Sequence, residues 1–200
     1  MSEQVRRFLH VGCGNARRER LPLCFQSTGW QEIRLDIDPE ARPDILATMT
    51  DMPMVPGASM DAIWSSHNLE HLEGYEVPQA LAEFVRVLQP DGFALFNLPD
   101  LRAIAKHILA DNLSRPLYQS EVGLITPHDM LFGHQRSLQQ GKKYMAHRTG
   151  FTATTLGEAL LAAGFPEVRV VQGQHWDLWA LALMPEASPP LLEELAGVMQ

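Results

Sequence analysis

The first residues whose types and spacing could do chemistry are His10-Val11-Gly12-Cys13-Gly14-Asn15-Ala16. Two glycines one position apart, directly after an apolar run, let a ligand approach the backbone where any Cβ would collide. A helix following them would offer free N–H groups. Asp36 stands 22 residues after Gly14, at the end of a second apolar run, where a carboxylate can accept hydrogen bonds from both hydroxyls of a ribose. Asp38 competes for that role, and Asp36 is preferred because it directly follows the apolar run. Cys13, inside the glycine loop, reads as a small filler and not as a nucleophile. Imidazoles supply the candidate bases, since their unperturbed pKa suits proton transfer near neutrality. His67 and His71 follow a third apolar run, and His128, His134 and His147 lie further along. The last three could orient a substrate, and their spacings match no compact ligand pattern, so no metal is expected.

These groups need elements to position them. Phe8 to Val11 reads as a strand that stops at Gly12, Ile33 to Leu35 as a second ending in Asp36, Ala62 to Trp64 as a third and Phe93 to Phe96 as a fourth. A weaker strand is expected at Asp44 to Leu46. Val77, Leu81, Phe84, Val85 and Leu88 recur at helical spacing, with Pro90-Asp91-Gly92 as the stop. Strands alternating with helical patterns suggest βα units. Residues 100 to 150 show helical fragments, four histidines and no clean strand, and read as an insertion. Thr152 is a plausible N-cap for a helix with Leu156, Ala159, Leu160 and Ala163 on its apolar stripe and Gly164 at its end. Val168 to Val171 and Leu178 to Leu183 suit an antiparallel hairpin, and a short helix is expected from about Leu191.

Composition bounds the function. Two hundred residues, 46% hydrophobic and 20% charged, suit one well-buried globular core. No window of eighteen apolar residues could span a membrane, and the apolar stretch at Phe8 is too short for a secretory signal. Two cysteines read as reduced thiols of a cytoplasmic protein. A net charge of −8 argues against gripping nucleic acid through phosphates. The charge is uneven: five arginines face two glutamates over residues 1 to 20, and seven Lys/Arg face four acids over 100 to 150. Solvated surface charge is the preferred explanation, and an opening for an anionic small substrate is the alternative.

The glycine loop departs from the dinucleotide fingerprint, which wants glycine or alanine where Arg17 stands. Gly12-x-Gly14-x-Ala16 instead resembles the G-x-G-x-G motif of class I S-adenosylmethionine (SAM)-dependent methyltransferases. Thr50-Asp51-Met52-Pro53 resembles the acidic loop that contacts adenine in that family. Asp61 to His71 resembles its fourth-strand motif with the LEH signature, Arg86 to Gly92 its RVLKPGG turn, and Ala163-Gly164-Phe165 its AGF turn before the final hairpin. The resemblance is close over residues 8 to 99 and looser over 149 to 184. It departs at His10, where an acid is common, and at Asp91, where glycine is usual. The segment between Asp36 and Asp44 is too short for the usual helix, which predicts a trimmed sheet edge.

The resemblance implies an α/β, Rossmann-like fold with a seven-stranded, mostly parallel sheet whose last strand is antiparallel. It implies one domain over 1–200 with 100–150 inserted as a substrate lid. SAM is the expected cofactor, held by Gly12, Cys13, Gly14, Asn15, Asp36, Ile37, Asp51, Met52, Ser66 and His67 across the carboxyl ends of the first, second and fourth strands. His67 and His128 are the candidate catalytic residues, and His71 is expected to cap or pack. A small molecule, sugar or natural-product intermediate is the expected acceptor, with no nucleic acid and no membrane. The same insert could instead join two subunits of a homodimer. Two rival functions are a non-catalytic SAM-binding module, favoured by the lack of a clear base, and a nicotinamide-dependent oxidoreductase, opposed by the missing third glycine.

Overall fold

The computed structural model describes residues 5–120, 123–188, 197 and 199. The chain opens with strand β1 (Arg6–Val11), a 3-10 turn (Arg18–Arg20) and helix α1 (Leu23–Gln26). Strand β2 (Trp30–Asp36), a 3-10 turn (Pro39–Ala41), strand β3 (Ile45–Leu46) and strand β4 (Met60–Ser66) follow. A 3-10 turn (Leu69–His71) leads to helix α2 (Val77–Val87) and strand β5 (Leu88–Pro99). Beyond them lie helix α3 (Leu101–Leu109), the small hairpin β6 (Tyr118–Ser120) and β7 (Gly123–Ile125), and helices α4 (Pro127–Phe132) and α5 (Gln135–Gln139). Helix α6 (Ala153–Ala162) and strands β8 (Glu167–Gln172) and β9 (Asp177–Leu183) complete the fold.

The main sheet has seven strands in the order β3-β2-β1-β4-β5-β9-β8. All run parallel except β9, which is antiparallel to both β5 and β8. Period-2 alternation assigns its two faces. Leu9, Val11, Ile63, Ala94 and Phe96 join the core beneath α2 and α6, while Phe8, Ala62, Trp64, Phe93 and Leu95 join the opposite core. Helix α2 buries Val77, Leu81 and Phe84, as the spacing predicts, together with Ala80 and Val87, while Val85 is partly buried and Leu88 already belongs to β5. Thr152 and Thr155 form the capping box that starts α6, and Gly164, at φ +110°, ends that turn.

The opposite face corrects one expectation. No long helix follows the glycine loop: Pro22 begins a helix of only four residues, so no helix N-terminus stands behind the loop. Aromatic rings cover that face instead. Phe25 stacks on Phe8 at 4.4 Å and on Phe93 at 6.0 Å, with the Trp30 ring edge-on at 5.2 Å. The expected stop at Pro90–Gly92 proves to be a bulge within β5, between the Met60–Leu88 and Ala62–Phe93 pairings. The hairpin β6–β7 is a second correction, in a region that shows no clean strand in sequence; at three residues per strand it is too short to show alternation. Beyond Asp36 a single 3-10 turn and a two-residue β3 give the trimmed edge. The helix expected from Leu191 lies outside the described residues. Among the described residues no helix is long and apolar enough to cross a membrane.

Candidate functional site

The glycine loop leaves the carboxyl end of β1 with Gly12 at φ +62° and Gly14 at φ +49°. A Cβ on Gly12 would fall 1.7 Å from Asn68 Oδ1, whereas a Cβ on Gly14 would meet nothing within 4 Å. Gly12 is therefore demanded by packing, and Gly14 by its left-handed backbone with open space above it. Asn68 donates from Nδ2 to the carbonyls of Val11 (2.8 Å) and Ser66 (2.9 Å), tying the ends of β1 and β4 together. Arg34 holds the far side of the loop, donating to the carbonyls of Gly14 (2.6 Å) and Ala16 (3.0 Å). Neither Asn68 nor Arg34 was expected in a site; a charged residue inside the apolar run Ile33-Arg34-Leu35 was the signal available. His10, in place of the usual acid, is buried and bonds Glu32 Oε1 at 2.7 Å, so the acidic group stands on β2 instead.

Asp36 is buried at the end of β2, and its two oxygens accept from the backbone N–H of Gly14 (2.7 Å) and of Asp38 (2.8 Å). Asp38 does something different. It accepts from Tyr144 Oη at 2.5 Å, from Lys142 Nζ at 3.4 Å and from the N–H of Glu40. Its pKa is lowered, first by the Tyr144 hydroxyl and then by the Glu40 N–H. Ile37, between the two aspartates, is exposed, as is Asn15 on the loop. Cys13 is buried, and desolvation pushes its thiol up to about 11, which fits a filler.

Residues 142 to 149 run from the end of β2 to the end of β4. At one end Lys142 and Tyr144 hold Asp38. At the other, the N–H groups of Arg148 and Thr149 donate to the Glu70 carbonyl, and Arg148 Nη1 pairs with Glu73 at 2.8 Å. Since β1 lies between β2 and β4 in the sheet, the two anchors of this strap stand on either side of the strand from which the glycine loop leaves.

The Asp51–Met52 turn is clamped from α2. Glu83 accepts from the Met52 N–H at 2.7 Å, and Arg86 donates to the carbonyls of Met52 and Val55, each at 2.9 Å. Met52 is fully buried, while Asp51 is exposed. Of this expected pair, only Asp51 offers its side chain outward.

At the end of β4, Ser66 is partly exposed, and His67 beyond it adopts φ +54°, its N–H donated to the Asn97 carbonyl at 2.8 Å. The His67 side chain is 44% exposed, and its Nδ1 lies 3.3 Å from Oε1 of Glu70, which is 1% exposed. Desolvation lowers the His67 pKa, but Glu70 and then Asp177 outweigh it, and the net direction is up. Liganding atoms of Glu70, His71 and His147 lie within 4.8 Å of one another. The lack of a compact ligand spacing in sequence therefore does not carry over into space. His128 stands apart from this group: its ring packs on Phe132 at 5.0 Å, and no hydrogen bond joins it to His67 among the described residues.

Residues 9–96 match the methyltransferase domain family. A SAM-dependent methyltransferase from Archaeoglobus fulgidus shares the fold at 15% identity and a TM-score of 0.60, covering 90% of this chain and 87% of that one. One from Aquifex aeolicus does so at 14% and 0.56, covering 90% and 83%. The 1,6-didemethyltoxoflavin-N1-methyltransferase of Burkholderia thailandensis, solved with 1,6-didemethyltoxoflavin and S-adenosylhomocysteine bound, does so at 17% and 0.53, covering 89% and 70%. No curated protein matches the chain.

Proposed function

We propose that this chain is a SAM-dependent methyltransferase that methylates a small-molecule acceptor beneath the strap formed by residues 142 to 149. The observation that carries the reading is Asp36. Each of its oxygens has accepted one backbone N–H, and a carboxylate offers about four acceptor sites, so lone pairs remain for two ribose hydroxyls. The open space at Gly14 gives the backbone approach that the cofactor needs. Asp51 and Ile37 are the exposed groups available to the adenine end. Ser66 and His67, at the end of β4, suit the methionine end. Bound SAM supplies an activated methyl on a sulfonium, so the hard chemistry is the cofactor's.

The chain's own part is to position the acceptor, to exclude water and to hold a proton. The strap and the insert behind it lie where binding loops gather in open α/β sheets, and closing them keeps water from the site. His67 is the candidate proton acceptor, needed only if the acceptor atom must lose a proton. His128, on the insert, is the candidate substrate contact. His67→Ala is expected to lower turnover by about 100-fold and His128→Ala to lower it less, the latter with SAM affinity nearly unchanged. Unchanged turnover in both, with lost dimerisation in His128→Ala, would make the insert an interface instead.

The negative charge supports a small acceptor over nucleic acid. Cys13 and Cys24 are both free thiols, which suits the cytoplasm. The acceptor class is tested by offering SAM with a labelled methyl group alongside a cell extract split into small-molecule, nucleic-acid and protein fractions. Label is expected in the small molecules. Label confined to nucleic acid or protein would overturn the acceptor class, and no label anywhere would favour a binding module.

A further inference from the structure

Glu70 is a buried carboxylate whose Oε1 lies 3.3 Å from His67 Nδ1, and neither oxygen accepts a well-aligned hydrogen bond among the described residues. An uncompensated buried charge is costly, so buried carboxylates are paired or coordinate metals. Three imidazoles surround this one. His71 donates from Nδ1 to the Ala146 carbonyl (3.1 Å), and His147 from Nδ1 to the Met130 carbonyl (2.9 Å). Because a carbonyl only accepts, both Nδ1 atoms carry the proton, which leaves Nε2 of each ring with a free lone pair in the neutral form. A backbone carbonyl on the other ring nitrogen is how metal-binding histidines are commonly oriented. The two rings lie 4.9 Å apart at 70° to each other.

We infer that Glu70, His71 and His147 form a binding site for a divalent transition-metal cation of the zinc class. Two imidazole nitrogens and one carboxylate oxygen favour such an ion over magnesium or calcium, which prefer all-oxygen sites. The liganding atoms lie within 4.8 Å of one another. Tetrahedral bonds of about 2 Å bring ligand atoms to about 3.3 Å apart, so small side-chain rotations close the site. Three protein ligands leave a position for water or a substrate oxygen, the pattern of reactive and not of purely structural zinc. His67, 3.3 Å from Oε1, supports the carboxylate from the exposed side. Protonated, it would balance the charge but leave the Nε2 lone pairs of His71 and His147 unused. The strap is part of the site, since His147 comes from it and Glu70 and His71 come from the turn after β4.

The test uses untagged full-length protein, stripped with a chelator and titrated with Zn²⁺ by calorimetry, with Co²⁺ absorption as a second readout. One ion per chain at micromolar or tighter affinity is expected, with cobalt bands of mixed nitrogen and oxygen coordination. His147→Ala and Glu70→Gln are expected to weaken binding by more than about 100-fold, beyond the loss of a supporting partner alone. His134→Ala, whose ring bonds Ser137 Oγ at 2.8 Å outside the cluster, should bind as the parent does. If His147→Ala fails to fold, Glu70→Gln decides, since it is nearly isosteric and keeps the bonds from the Arg148 and Thr149 N–H groups to the carbonyl of residue 70. No binding by the parent, or equal binding by the parent and Glu70→Gln, would overturn the site. The site does not rest on methyl transfer, and its failure would leave that reading standing.

Discussion

Gly12→Ala is expected to destabilise the protein by about 3 kcal/mol or more. A left-handed backbone costs alanine roughly 1 kcal/mol relative to glycine. The larger part comes from Asn68, whose side chain occupies the space the new methyl would need. Displacing it breaks its bonds to the carbonyls of Val11 and Ser66, each worth roughly 1 kcal/mol. In a chain of this size the total corresponds to a melting temperature lower by about 6–12 °C. The mechanism has its own check. If the clash with Asn68 dominates, the double variant Gly12→Ala/Asn68→Ala should melt well above the sum of the two single losses. Strict additivity would mean that backbone strain alone explains the cost.

Asp36→Ala is expected to weaken SAM binding by about 1.5–3 kcal/mol, roughly 10- to 150-fold. The carboxylate acts twice. It fixes the glycine loop through the Gly14 N–H and the following turn through the Asp38 N–H, and on the proposed reading it also receives the ribose. Asp38→Ala should cost far less affinity, because its partners are Lys142 and Tyr144 of the strap. Its effect should fall on strap closure, read as increased proteolysis between residues 136 and 148. Calorimetry ranks the two affinities, and the opposite ranking would assign the ribose to Asp38.

Most of what positions this site was legible because it is periodic. The apolar runs at Phe8, Ile33 and Ala62 and the spacing of Val77, Leu81 and Phe84 each report a local geometry that repeats every two or 3.6 residues. Turn chemistry did the same at Thr152 and Gly164. What escaped has no local period. Pro90-Asp91-Gly92 reads as a stop whether the chain turns or bulges, and only the pairing of Met60 with Leu88 decides. The helix behind the glycine loop was expected from the glycines alone, and the chain starts one only after Pro22, for four residues. Arg34 and Asn68 act by reaching across strands, so their role depends on register. The meeting of Glu70 and His71 with His147 depends on the path of a strap that carries little regular structure. No spacing rule connects adjacent residues to a third one so far along the chain.

Calorimetry on the parent protein with SAM, S-adenosylhomocysteine and NAD tests the central claim most directly. Both sulfur compounds are expected to bind one per chain, each weakened by Asp36→Ala, with no heat from NAD. Tight NAD binding without SAM binding would contradict the assignment.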